Sequence, residues 1–213
     1  RGSRIYSNVT YGLYFDGAAL RNIFARNSIY RTTGQGMYFL SANTNRFMNN
    51  VIYKNTGRGV DLGNCCSVFG TEFYNNIVMS NTAGGLVNNN AGTKWSYNDV
   101  YGNGGGTGNY TNTTALAETY GNIGADPLFS NAAAANFRLS GLLPLSPAVD
   151  VGTTNGLMGY DGTGVVGNAR DMGVYESAFT DTNSTIRATN ITLGAGYKKI
   201  VPAVSASRGG DVI

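Results

Sequence analysis

A chain of 213 residues with 31 glycines and only four prolines has room for one domain with a real core, built from short strands and many turns and not from long helices. Charged residues make up 13% and the net charge of +3 comes from basic residues scattered along the chain, which excludes the clustered basic footprint that nucleic-acid binding needs. With no histidine the commonest general base and metal ligand is missing, so any catalysis falls to carboxylate, Lys, Arg or Tyr, and no apolar run is long enough to span a membrane.

The chain opens at Arg1 already inside a repeat, which reads as a processed or excised piece with no targeting segment left to see. Ile5-Tyr6 starts the repeat. Asn27-Ser28-Ile29-Tyr30, Asn50-Val51-Ile52-Tyr53, Asn76-Ile77-Val78-Met79 and Asn98-Asp99-Val100-Tyr101 follow at spacings of 23, 26 and 22 residues. A period of that length is the signature of a solenoid. Phe24, Phe47, Phe73 and Trp95 precede these aliphatics by five residues, and Leu13, Met37, Val60 and Leu86 follow them by eight. Three apolar columns per period predict three short walls per turn.

Gly12-Leu13-Tyr14-Phe15, Gly36-Met37-Tyr38-Phe39, Gly59-Val60-Asp61-Leu62 and Gly85-Leu86-Val87-Asn88 alternate inward and outward at the strand period of two. The glycine at the head of each reads as a turn residue with backbone angles that others avoid. The column Asn27, Asn50, Asn76, Asn98 reads as a ladder, since stacked amides can donate and accept along the axis. Tyr6, Tyr30, Tyr53, Met79 and Tyr101 point opposite to the aliphatic column and form an outward stripe, either a self-stacking ladder or an interface. The adjacent Cys65 and Cys66 read as two thiols within a turn, an ordinary disulfide between neighbours being strained. Five sequons, at Asn8, Asn109, Asn112, Asn183 and Asn190, are what an Asn/Thr-rich chain makes by chance. Residues 102–122 read as a looped insertion.

Downstream come Ala125-Asp126-Pro127-Leu128-Phe129, Asn136-Phe137-Arg138-Leu139, Ser146-Pro147-Ala148-Val149-Asp150-Val151-Gly152 and Asp171-Met172-Gly173-Val174-Tyr175-Glu176. Taken with the Asn-x-Ile-Tyr-x-Asn and Gly-Leu-Tyr-Phe units, this order resembles the right-handed parallel β-helix repeat of the pectate-lyase-like superfamily, over roughly residues 4–176. The resemblance implies an all-β, three-sheet solenoid of six to eight coils over residues 1–179, the last coils closing over its end. A short β extension follows at 180–213, with two strands around a glycine turn at 185–201 that either fold back or pair with a neighbour.

It also implies an extracellular or cell-surface setting, and a polysaccharide or neighbouring copies of the chain as partner. Family enzymes usually carry their cleft on the outer face of the sheet to which the Gly-Leu-Tyr-Phe wall would belong. There Tyr14 and Tyr38 are candidates for stacking on sugar rings, and Asp16, Asp61, Arg31 and Arg58 for hydrogen bonds or a cation site. No cofactor is implied, Ca²⁺ being the one ion the resemblance admits, and Asp61 alone is a poor cage for it. Asp16 and Asp61 sit two coils apart on different columns, too loose for a glycosidase pair. No catalytic or metal residue is therefore assigned. The expected function is a non-catalytic module with a structural, self-assembling or polysaccharide-contacting role, the alternative being the C-terminal part of a polysaccharide lyase or glycosidase.

Overall fold

The period becomes a coil because each apolar column alternates with outward residues over strands of two to five residues, too short to pair within a coil and matched only to the next. In a computed structural model, residues 2–17, 19–63, 68–88, 92–104, 108–111, 120–140, 145–153 and 169–177 are described, with the backbone of 188–190 and 195–197. Sheet A stacks β1 (Arg4–Tyr6), β4 (Ser28–Tyr30), β7 (Val51–Tyr53), β10 (Ile77–Met79) and β13 (Asp99–Tyr101). Sheet B stacks β2 (Tyr11–Phe15), β5 (Gln35–Phe39), β8 (Val60–Leu62), β11 (Leu86–Asn88) and β14 (Tyr110–Thr111). Sheet C stacks β3 (Ile23–Ala25), β6 (Arg46–Met48), β9 (Glu72–Tyr74) and β12 (Lys94–Ser96). All pairs in these sheets are parallel, and the solenoid is right-handed.

The register joins like to like, Ile29 to Ile52, Met37 to Val60 and Phe47 to Phe73. Inside, Phe24, Phe47, Phe73 and Trp95 stack with ring centroids 4.9, 4.8 and 3.9 Å apart. Ile29, Met37, Phe39, Leu62, Val78, Leu86 and Val100 complete one buried core. Among the described residues the only helical turn is a short 3₁₀ segment, Ala132–Ala134, and no helix is long and apolar enough to cross a membrane.

Each end of a sheet A strand is a corner made of one left-handed residue and one ladder residue. Arg26, Asn49, Asn75 and Tyr97 have φ of 58, 53, 56 and 55° just before the strands, and Arg31, Lys54 and Ser80 have 55, 51 and 58° just after. Gly2 and Gly102 take the corner at the outer ends of the first and last strands, with φ of 69 and 59°, but the turns between are made by non-glycine residues, held there by neighbouring coils. Gly12, Gly36, Gly59 and Gly85 do not have positive φ, contrary to the turn role expected of them. They provide space: a Cβ at Gly36 would lie 2.6 Å from the Ile52 γ-methyl and 2.7 Å from the Gly59 carbonyl oxygen.

Among the described residues, four complete coils and part of a fifth are built, with Ile123 bridging Asp99 beyond them, fewer than the six to eight expected. Residues 127–140, 145–153 and 169–177, a strap, add no further coil. β15 (Phe129–Asn131) and β16 (Asn136–Leu139) form an antiparallel pair. Phe137, Leu139, Ala148, Val149, Met172 and Val174 then bury the outward residues Tyr30, Val51 and Ile77 of sheet A in a second core. The apolar side chains that resemble closing coils are satisfied on the outside of the solenoid, so nothing drives them to extend it. Farther on, β17 (Ala188–Asn190) and β18 (Ala195–Tyr197) make the antiparallel hairpin expected around the glycine turn. Cys65, Cys66, most of the looped insertion and the rest of 180–213 lie outside the described residues.

Candidate functional site

Sheet A's tyrosine stripe is occupied by the chain itself. Tyr30 is 6% exposed, and the Phe137 ring meets Tyr30 and Tyr53 at 5.5 and 5.4 Å, edge to face. Met79 packs on the same core, and Tyr101 is half-buried. Tyr6 remains 56% exposed, stacked on Tyr30 at 5.2 Å.

Polar contacts fasten the strap to the corners. The Asn49 side-chain amide donates to the Asp171 carbonyl at 3.0 Å, and Asn75 both donates to the Thr153 carbonyl and accepts from its N–H, at 3.0 and 2.9 Å. Arg31, a candidate for the sugar face, instead donates to the Ala133 carbonyl. It is spent on the strap.

Sheet B's outer face gathers the other candidates. Parallel register puts Tyr38 beside Tyr14 on one side and Asp61 on the other. The Arg58 guanidinium donates to the Asp61 carboxylate at 2.9 Å; the Arg58 side chain is 40% exposed, the Asp61 side chain 6%. Asp61 therefore presents little of itself to solvent, while Arg58 presents a half-open cation. Asp16 lies one residue past β2, where its carboxylate accepts from the Gly17 N–H at 2.6 Å, away from the Arg58–Asp61 pair by two coils.

Tyr11, absent from the sequence reading, joins the cluster. Its ring lies 5.2 Å from Tyr14 and 5.0 Å from Tyr38, and Tyr14 lies 5.8 Å from Tyr38. Tyr11 heads β2, where the next coils place Gln35 and Arg58, so no aromatic recurs at its position to flag it.

These distances correct the expected mode of contact. Rings on neighbouring coils stack on one another along the solenoid axis, so Tyr38 spends a π-face on Tyr11 and Tyr14. What the cluster leaves outward is part of each phenol, Tyr14 being 47% exposed and Tyr11 and Tyr38 half-buried. Such groups hydrogen-bond polyols from the side.

Hydrolysis of a glycosidic bond needs two carboxylates flanking it, and Asp61, tied to Arg58, faces no second carboxylate in its register, Tyr38 and Val87 being its neighbours. Among the described residues no three His, Cys, Asp or Glu side chains are grouped to hold a metal ion.

The sheets and their ladders define a three-sided parallel β-solenoid with one aromatic face open and another covered. The chain matches the family model of the right-handed β-helix region over residues 1–123, more than half its length, and belongs to that family. No curated protein and no solved structure matches it.

Proposed function

We propose that the chain is a non-catalytic β-helix module of an extracellular or cell surface, holding a polysaccharide against the outer face of sheet B. The carrying observation is the Tyr11, Tyr14 and Tyr38 cluster beside the exposed half of Arg58, on coils next to one another. Hydroxyls and a guanidinium repeated at the coil spacing of about 4.8 Å suit a chain of sugar hydroxyls running along the axis, and Arg58 favours one that carries acid groups. The tie of Asp61 to Arg58 supports holding over cleaving, because the carboxylate is paired and shielded from solvent while the Arg58 side chain stays 40% exposed.

Binding to polygalacturonate and to a neutral glucan, measured with product release in the same samples, tests the reading. Expected is saturable binding to one of them, at least tenfold weaker in Tyr38→Ala, with neither new reducing ends nor unsaturated products. Product release abolished by Asp61→Asn would replace this reading with that of a lyase or glycosidase.

A further inference from the structure

The last two segments of the strap, 145–153 and 169–177, are tied to each other and to the corners of sheet A around one buried carboxyl group, that of Asp171. The Met172 N–H donates to the Ala148 carbonyl at 2.9 Å and the Gly152 N–H to the Arg170 carbonyl at 2.7 Å, while the Gly173 N–H donates to the Asn75 carbonyl at 2.7 Å. Between them Asp171, 1% exposed, accepts from the Asp150 N–H at 2.9 Å through one oxygen and from the Ser177 N–H at 2.5 Å through the other. We propose that Asp171 makes this end of the strap a pH-gated clasp, closed over sheet A in acid and released as the carboxyl ionises.

The groups around Asp171 set the sense of the switch. Both hydrogen bonds to its carboxyl come from the main chain, and among the described residues none comes from a cation. On the 145–153 side the facing acid is Asp150, whose own carboxylate accepts from the Ala169 N–H at 3.4 Å. On its own segment it is Glu176, which accepts from the Asp171 N–H at 3.4 Å. Arg170 is the adjoining cation, 3% exposed, and Arg26 of the first coil feels the charge of Glu176. The solenoid meets Asp171 through the uncharged side-chain amide of Asn49, which donates to the Asp171 carbonyl. Ionisation therefore places a negative charge beside Asp150 and out of contact with water. Burial pushes the Asp171 carboxyl up to about 6, the Asp150 and Ser177 N–H groups pulling against it and the Asp150 charge adding to the rise.

Because the closed value lies above the ordinary 3.8, the stability of the clasp that goes with protonation is whole below 3.8 and is lost as pH rises through about 6. Between pH 5 and 8 the closing equilibrium weakens about tenfold on this account. What the clasp governs is a face of the solenoid. Met172 and Val174, one and three residues past Asp171, belong to the core that covers Tyr30, Val51 and Ile77. A Cβ at Gly173 would lie 2.9 Å from the Ile77 δ-methyl, so the segment lies flat on sheet A. Lifting it uncovers outward residues of three successive coils, an apolar surface that the closed strap withholds.

Hydrogen exchange of the Met172 and Gly173 amides, corrected for the intrinsic rate at each pH, is followed in the full chain from pH 5 to 8. Protection in the parent is expected to fall at least fivefold more over that range than in Asp171→Asn, the ratio of the two falls removing what Asp99 and other groups contribute. An equal fall in both, or protection level with pH in the parent, overturns the proposal. An amide leaves only one of the two N–H groups an acceptor, so the variant is expected to be the less protected at pH 5. Titration of the Asp171 carboxyl carbon by NMR in the unchanged chain needs no variant. A midpoint near 6 is expected, and one below about 5 overturns the proposal, since the closed and open strap would then hold the proton almost equally.

Discussion

Asp99 is the residue whose chemistry least fits its place. It continues the outward column Val51, Ile77 of sheet A, is fully buried, and accepts from the Ala125 N–H at 3.2 Å through one oxygen while the other has no partner. Burial drives its pKa up to about 8, against the pull of the Ala125 hydrogen bond and with Asp126 adding to the rise. Among the described residues no cation offsets it, so the fold accommodates the neutral acid. Because the folded pKa lies above the unfolded value of 3.8, the stability that goes with protonation is whole below the unfolded pKa and is lost as pH rises through about 8. The span between the two values corresponds to a loss on the order of 5 kcal/mol, which partial hydration of the opened site reduces. Asp99→Asn keeps an acceptor for Ala125 and removes the charge. Between pH 6.5 and 9, above the range in which Asp171, pushed up to about 6 by burial, also loses its contribution, the variant's stability in urea is expected to fall less than the parent's, and parallel curves for the two would refute the assignment.

At the scale of the repeat, the polar ladders do as much as the apolar columns. The ladder expected at Asn27, Asn50, Asn76 and Asn98 forms, each side-chain amide donating to the oxygen of the next coil's Asn, and it runs on to Asn122. A second ladder, Asn55, Asn81 and Asn103, closes the opposite corner and ends on Asn109. Asn76 carries four bonds: its oxygen accepts from the Asn50 backbone and side-chain amides, both at 2.9 Å, and its amide donates to Asn98 and to the Phe47 carbonyl, both at 2.9 Å. Asn76→Ala orphans a buried N–H and a buried carbonyl, each costing about 1–3 kcal/mol, so a loss on the order of 4 kcal/mol is expected in urea unfolding. A loss under about 1 kcal/mol, the size of a single average hydrogen bond, would show that water replaces the ladder. The columns were readable because the period writes them out, and the second ladder stood in the Asn-x-Ile-Tyr-x-Asn unit as its last letter. The role of Gly36 was misread because spacing reports that a residue recurs, and only a packed Ile52 reveals that the constraint is room and not φ. Tyr11 could not be found from repetition, since nothing aromatic repeats there.

For the whole molecule the strap changes the kind of cooperativity available. A solenoid alone is stabilised by contacts between neighbouring coils and can fray from an end. Here one segment bonds to Asn49 and Asn75 from 122 and 78 residues away in sequence, and covers Tyr30, Val51 and Ile77, which belong to three successive coils. Sequence marked the Tyr30 stripe as either a self-stacking ladder or an interface but could not reveal what covers it, because the strap does not repeat. Phe137 is its anchor, 2% exposed and in edge contact with Tyr30, Tyr53 and Phe129. Truncating a buried Phe costs about 3–5 kcal/mol, and here the cavity opens at the seam between strap and solenoid. Phe137→Ala is therefore expected to bind a dye for exposed apolar surface, to be cut within 127–153 by protease under native conditions, and to split one urea transition into two. Because sheet A's ladders and the inner core do not contain Phe137, the second transition keeps the midpoint of the bare solenoid. A single, uniformly shifted transition with the strap still protected would mean that strap and coils fold as one unit even without the anchor, and that Asn49 and Asn75 suffice to hold it.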